Sequence, residues 1–377
     1  MRPIQMVDTK TQYHKIKQEV DKAVIDVMES TAFINGKPVH EFAASLSAFL
    51  GVKHTIPCAN GTDALQIAMM ALGLRPGDEV ITPSFTYIAT TEVIALLHLT
   101  PVFVEVNPRT FCIDPAAVEK AITPKTKAIV PVHLYGQSAA MEEILAIAAR
   151  HHLYVIEDNA QAIGCEYTFS DGTRKKTGTM GHIGTTSFYP SKNLGAFGDG
   201  GAIFTHDDEL AVKLKMIANH GQGKQYYHDV IGCNSRLDTI QAAVLAIKLA
   251  HLDEYAAARV AVADYYDKAF AGNPKIITPF RDPSSKHVFH QYTLVLDGAD
   301  RNGLKQFLAD HNIPSMIYYP VPAHRQKMFE QFQTASQVMP ATDWLTERVI
   351  SLPVHTEMDG EQLEYIAAKV LEFVNRS

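Results

Sequence analysis

Three stretches of this chain carry side chains suited to one kind of chemistry. The first runs Thr185-Thr186-Ser187-Phe188-Tyr189-Pro190-Ser191-Lys192-Asn193-Leu194-Gly195 and is followed by Gly198, Gly200 and Gly201. The second, Val155-Ile156-Glu157-Asp158-Asn159-Ala160-Gln161, brings a pair of acids to the end of an apolar run. The third, Asn60-Gly61-Thr62-Asp63-Ala64-Leu65, sets an N-capping residue and a glycine at the start of a helical pattern. A lysine amine can condense with an aldehyde, and a carboxylate beside a pyridine nitrogen keeps that ring protonated and electron-withdrawing. An open helix N-terminus favours a phosphate. Those are the groups a protein supplies to pyridoxal phosphate (PLP), and Asp158 and Lys192 point together to amino-group transfer. Taken singly, each stretch has a plainer reading: a capped helix start, a salt-bridged acid, a lysine beside a turn. The order phosphate cup, acid, lysine, with Ser187 just ahead of Lys192, makes the combination specific.

The elements that must position these residues alternate. Apolar positions at helical spacing over about 12–30 and a second run to about Leu50 predict two N-terminal helices. Short apolar runs at 54–58, 79–82, 101–106, 127–132, 153–157, 183–188 and 200–204 read as seven strands. Helical patterns lie at 61–73, 86–97, 114–122, 140–151, 207–219 and 235–271, the last broken near His251. Alternation of this kind predicts an α/β fold, a mostly parallel sheet covered on both faces. In such sheets ligands bind beyond the carboxyl ends of the strands, where all three stretches fall. After about 272 the texture changes: prolines 274, 279 and 283, a strand at 287–297, a helix at 302–311, a strand at 314–319, and helices at 340–348 and 359–375. The expected division is a large domain over 1–271 and a small α/β domain over 272–377.

The remaining features narrow the function by exclusion. A net charge of −7 argues against non-specific nucleic-acid binding. The four cysteines lie far apart with no CxxC, as expected of free thiols in a reducing compartment. The first ten residues lack the apolar core of a secretory signal, and no apolar run reaches the length of a membrane span, so a cytoplasmic protein is expected. Gly195–Gly200 lacks the spacing of a dinucleotide fingerprint and leads into a strand, while Ser191-Lys192 lacks the glycines of a phosphate-binding P-loop. His287 and His290, in the expected strand, and the pair His151-His152 read as non-metal histidines, and Trp344 as packing.

Over nearly its whole length the chain resembles the DegT/DnrJ/StrS-type nucleotide-sugar aminotransferases, which are fold-type I PLP enzymes. The resemblance rests on Phe33–Pro38, Asn60–Leu65, Pro83–Thr90, Glu157–Gln161, Ser187–Gly201, His220-Gly221, Asn234–Asp238 and Tyr319–Pro322. It implies that Lys192 binds the PLP aldehyde and later shuttles the proton, that Asp158 pairs with the ring nitrogen, and that Gln161 meets the ring hydroxyl. It further implies that Tyr87 stacks on the ring and that Gly61, Thr62 and Ser187 bind the phosphate. The position of Asn234 reaches the phosphate of a neighbouring subunit, which implies a homodimer with shared sites. Relatives with a histidine at the lysine position are sugar dehydratases, so Lys192 favours transamination.

L-Glutamate is the donor the family implies, and the acceptor a ketosugar nucleotide. The foremost candidate is C-3 of UDP-2-acetamido-2-deoxy-3-oxo-D-glucuronate, in bacterial surface-polysaccharide (lipopolysaccharide) synthesis, with Arg236 placed to meet the uronate carboxylate. Tyr318-Tyr319 stands where the members acting on that sugar have His-Tyr; Tyr318 can hydrogen-bond but carries no positive charge at neutral pH. The alternatives are another acceptor, a dTDP-3-oxo or a UDP- or GDP-4-oxo-6-deoxy sugar, or a PLP-binding regulatory protein without turnover. Lys192, Asp158 and Gln161 together speak against the last.

Overall fold

The computed structural model describes residues 2–376. Helices α1 (Thr9–Ser30) and α2 (Lys37–Leu50) lead into β1 (His54–Cys58) and α3 (Gly61–Ala71). Strands and helices then alternate through β2 (Glu79–Pro83), α4 (Ala89–Leu96), β3 (Thr100–Val104), α5 (Pro115–Ala121), β4 (Thr126–Ile129), α6 (Met141–His151) and β5 (Tyr154–Asp158). A hairpin of β6 (Glu166–Thr168) and β7 (Arg174–Lys176) precedes β8 (Ile183–Ser187), β9 (Gly201–Thr205) and α7 (Asp208–Ala218). A second hairpin, β10 (Gln222–Lys224) and β11 (Tyr227–His228), precedes α8 (Thr239–Ala250) and α9 (Leu252–Phe270).

The main sheet has seven strands in the order β1-β9-β8-β5-β4-β2-β3. Only β9 runs against its neighbours; the other six are parallel to one another, so their carboxyl ends share one edge. Strand residues alternate between two buried faces. Val80, Ala128, Ile156 and Ile203 pack with Leu65 and Ile67 of α3, Val93 of α4 and Leu214 of α7. On the opposite face Ile81, Ile129 and Val155 meet Val118 of α5 and Ile144 of α6, and Phe204 meets Phe42 of α2 and Leu245 of α8. Burial on both faces explains why these strands read as continuous apolar runs.

The remaining elements are β12 (Ile276–Ile277), β13 (Ser285–Lys286), β14 (Tyr292–Leu296), α10 (Arg301–Asp310), α11 (Pro340–Arg348), β15 (Val349–Leu352) and α12 (Gly360–Arg376). Strands β12, β14 and β15 form an antiparallel sheet whose core takes Tyr266 and Phe270 of α9, Leu304 of α10, and Ile366 and Val370 of α12.

Three expectations change here. The strand expected over 287–297 begins only at Tyr292, because His287–Gln291 turns toward the cavity described below and Phe289 takes a φ of +45°. That over 314–319 contracts to a bridge between Met316 and Ser351. The partner of that bridge belongs to β15, a fully buried strand that directly follows α11 and was unrecognised in the sequence.

Candidate active site

At the shared carboxyl edge, register brings Ser187 opposite Gly201 and Gly201 opposite Cys58. The chain leaving Cys58 therefore passes directly over Ser187 as it enters α3. Asn60 caps that helix, its Oδ1 accepting from Asp63 N at 2.8 Å. The N–H groups of Gly61 and Thr62 are left without intrahelical acceptors, as at any helix start. The approach is too close for larger residues. A Cβ on Gly61 would stand 2.8 Å from Ser187 Cβ, and one on Gly201 2.5 Å from the Asn60 carbonyl carbon. Free N–H groups, a hydroxyl and a positive helix end in one cradle fit a phosphate.

The adjacent acids of β5 have separate surroundings. Glu157 is fully buried; its carboxylate accepts from the backbone N–H of Gly178, Met180 and Gly181 and lies 2.8 Å from His133 Nε2. It holds the 178–181 turn in place and has no face toward the cavity. Asp158 points the other way, into a cavity of about 730 Å3. Its carboxylate accepts from Thr90 Oγ1 at 2.7 Å and from Ala160 N at 3.1 Å. Thr90, in the first turn of α4, was not singled out in the sequence, although it closes the Pro83–Thr90 segment. A carboxylate fixed by two donors at a strand end fits a protonated ring nitrogen.

Lys192 lies in the turn after β8, its backbone N–H bonded to Tyr189 O at 2.8 Å. Its side chain lines the same cavity. Burial pushes its ammonium down to about 8, while the Asp158 carboxylate pulls the other way. An amine of that kind is neutral in useful amounts near physiological pH, which nucleophilic attack on an aldehyde requires.

Gln161 accepts from Tyr135 N at 2.8 Å and donates to Tyr319 Oη at 3.0 Å, which leaves one amide hydrogen for a ligand. Burial makes the Tyr319 phenol much less acidic than usual, and the hydrogen bond from Gln161 only partly offsets this. Tyr87 is 55% exposed, with its ring centroid 6.1 Å from that of Tyr319. Tyr318 also lines the cavity, and its carbonyl accepts from the Tyr135 hydroxyl.

Nine of the eleven expected residues are thus together: Gly61, Thr62, Tyr87, Asp158, Gln161, Ser187, Lys192, Tyr318 and Tyr319. Asn234 and Arg236 are not. Asn234 pairs with Asn219 in an isolated bridge, and Arg236 reaches the Asn219 side chain at 3.3 Å, outside this chain's cavity. His290 and Gln291 enter the cavity unforeseen, since a strand had been expected there. The donor set suits PLP: a phosphate cradle, a carboxylate, an amine of lowered basicity and an aromatic wall.

The chain matches the DegT/DnrJ/EryC1/StrS aminotransferase family over residues 14–371. It is 45% identical over 372 residues to a protein of Geobacillus stearothermophilus called a pleiotropic regulatory protein, covering 98% of each. It is 44% identical over 365 residues to the UDP-2-acetamido-2-deoxy-3-oxo-D-glucuronate aminotransferase of Pseudomonas aeruginosa, covering 97% of this chain and 99% of that one. Among solved structures, S. venezuelae DesV in complex with a ketimine intermediate superposes with a TM-score of 0.95 at 38% identity, with 100% of both chains covered. Fold, cavity and relatives agree along essentially the full length, and the chain belongs to the DegT/DnrJ/EryC1/StrS aminotransferase family.

Proposed function

We propose that the protein is a PLP-dependent aminotransferase that moves an amino group from L-glutamate to C-3 of a ketosugar nucleotide. UDP-2-acetamido-2-deoxy-3-oxo-D-glucuronate is the first candidate, in polysaccharide synthesis. The observation that carries the reading is the placement of Lys192, Asp158 and the α3 cradle around one cavity. PLP, when bound, supplies an electron sink for the carbon that loses or gains the amino group. Gly61, Thr62 and Ser187 would hold its phosphate, Asp158 its ring nitrogen and Gln161 its hydroxyl, with Tyr87 as the aromatic residue beside its ring. The Lys192 amine, once free, takes the proton from the donor's α-carbon, and in the second half-reaction it delivers one to the sugar carbon.

The substrate assignment is supported by the 44%-identical uronate aminotransferase and by Arg236, whose planar fork suits a carboxylate. Since Arg236 and Asn234 lie outside their own cavity, we read them as contributions to a partner's site in a homodimer. Tyr318 and Tyr319 border the sugar. We take 1–271 as the cofactor-binding domain and 272–377 as the small domain. All four cysteines are free thiols and no helix among the described residues is long and apolar enough to cross a membrane; a cytoplasmic location fits both.

The test is turnover. Purified protein with PLP and 15N-glutamate is offered UDP- and dTDP-linked 3-oxo and 4-oxo sugars side by side, with product read by mass spectrometry. Label in the 3-oxo uronate product, absent with Lys192→Ala, is expected; label only in another sugar replaces the substrate. A second reading, a PLP-binding regulator without turnover, is favoured by the name of the Geobacillus relative. Retention of the label in glutamate with every acceptor offered, although PLP is bound, would support it.

A further inference from the structure

Arg259, on α9, is 3% exposed, and among the described residues it forms no ion pair with a carboxylate. A buried guanidinium normally has such a partner, because removing its charge from water is expensive. Here one nitrogen donates only to carbonyls: Val354 O at 2.8 Å, Phe289 O at 3.2 Å and His290 O at 3.4 Å. Two of these lie in the turn where Phe289 adopts its left-handed φ of +45°, a conformation that bulky residues keep only when the surroundings impose it. The Phe289 ring is further fixed by the stacked His287 imidazole at 3.8 Å and the Arg281 guanidinium at 4.8 Å. The same loop is tied to the lysine turn itself, Asn193 Nδ2 donating to Val288 O at 3.0 Å.

The residue this loop delivers is His290. It is 6% exposed, lines the cavity, and its Nδ1 has no partner. The Gln291 amide nitrogen lies 3.4 Å from Nε2, which assigns Nε2 as acceptor and places the ring proton on the unpartnered Nδ1. The charged groups facing the ring are Lys192 from the β8 turn and Arg259 from α9, both cationic. Arg259 in turn faces Lys248, whose Nζ donates to Gly195 O, and His355. Burial and these cations hold the His290 imidazole uncharged.

We propose that Arg259 is a positioning residue for the reaction at Lys192, clamping the Phe289–His290 turn so that the His290 imidazole stands in the cavity beside the lysine amine. This rests on the aminotransferase reading for its consequence. The uncharged His290 imidazole lines the cavity that Lys192 also lines, so the free amine works there without a competing cation on that wall.

The experiment uses the full-length protein without added cofactor, with 13C-labelled histidine followed by NMR from pH 5.5 to 8.5 and His290 assigned by comparison with His290→Gln. In the wild type His290 does not titrate in this range. In Arg259→Met, where clamp and cation are both gone, it titrates, and the kcat–pH profile with PLP and glutamate gains an acid limb at the same midpoint. At neutral pH kcat falls about tenfold or more while KM for glutamate stays within about twofold, and Arg259→Lys recovers most of kcat. A His290 that titrates normally in the wild type overturns the proposal. So does a folded Arg259→Met in which His290 stays silent and the profile is unchanged. If Arg259→Met does not fold, the wild-type titration and Arg259→Lys decide. The NMR arm needs no turnover, so a failed aminotransferase assay does not imitate failure here.

Discussion

The lowered basicity of Lys192 can be tested without any cofactor, by competitive labelling. With its ammonium at about 8, roughly one amine in ten at Lys192 is neutral at pH 7, against about one in 3,000 for an ordinary lysine near 10.5. At low conversion with an acylating reagent, the peptide carrying Lys192 is therefore expected to label up to about 300 times faster than its exposure alone predicts, with the exposed Lys213 as internal reference. Its pH profile should level off just above 8, while Lys213 continues to rise. The Asp158 carboxylate favours the charged form, so Asp158→Asn should move the Lys192 midpoint further down and raise labelling at pH 7. Mass spectrometry of the two peptides between pH 6 and 10 reads both effects. A Lys192 midpoint near 10, or an upward move in Asp158→Asn, would refute the electrostatic account of the site.

Other expectations follow from single contacts. Gly61→Ala forces a methyl group to within 2.8 Å of Ser187 Cβ and should weaken PLP binding by about 10- to 100-fold, corresponding to roughly 1–3 kcal/mol of overpacking, as read by cofactor titration; undiminished affinity would discount the cradle. Thr90→Val removes the 2.7 Å donor to Asp158 and should weaken PLP binding by about 1.5–3 kcal/mol with little change in melting temperature. Glu157→Gln should do the reverse. It disturbs a buried carboxylate with three backbone donors and His133, so a loss of about 2–4 kcal/mol in denaturant unfolding is expected, from the apo- and holoprotein alike. Mixing Lys192→Ala with Asn234→Ala protein after subunit exchange should restore about a quarter of wild-type turnover if sites are shared across a two-fold dimer. No restoration would place Asn234 in its own subunit's chemistry.

The main sheet was legible because its strands are buried on both faces and separated by helices of ordinary length, so each appeared as an isolated apolar run. Lys192, Asp158 and the Asn60–Thr62 turn were legible because strand ends are where such a sheet holds ligands. What the sequence hid follows physical rules too. Val349–Leu352 runs straight out of α11 with no glycine or proline between them, so nothing in the pattern marks the change from helix to strand. His290 looked like part of a strand because Val288, Phe289, Tyr292 and Leu294 are apolar around it, and the turn that frees it depends on Arg259, some thirty residues away. The part Glu157 plays was hidden, since only the pleat and the fold bring its carboxylate to the 178–181 turn and His133.

That pleat has a consequence for how this chain can vary. Glu157 and Asp158 occupy opposite sides of one strand, one bracing a turn and the other facing the cavity. A slip of a single residue in β5 would exchange them, placing the brace in the cavity and the cavity acid in the core. Neighbouring β8 is paired residue by residue with this strand and ends at Ser187, five residues before the lysine. A one-codon insertion or deletion anywhere in 154–158 would therefore misplace the acid and undo the turn together. Substitutions can drift within these strands, but their lengths are locked.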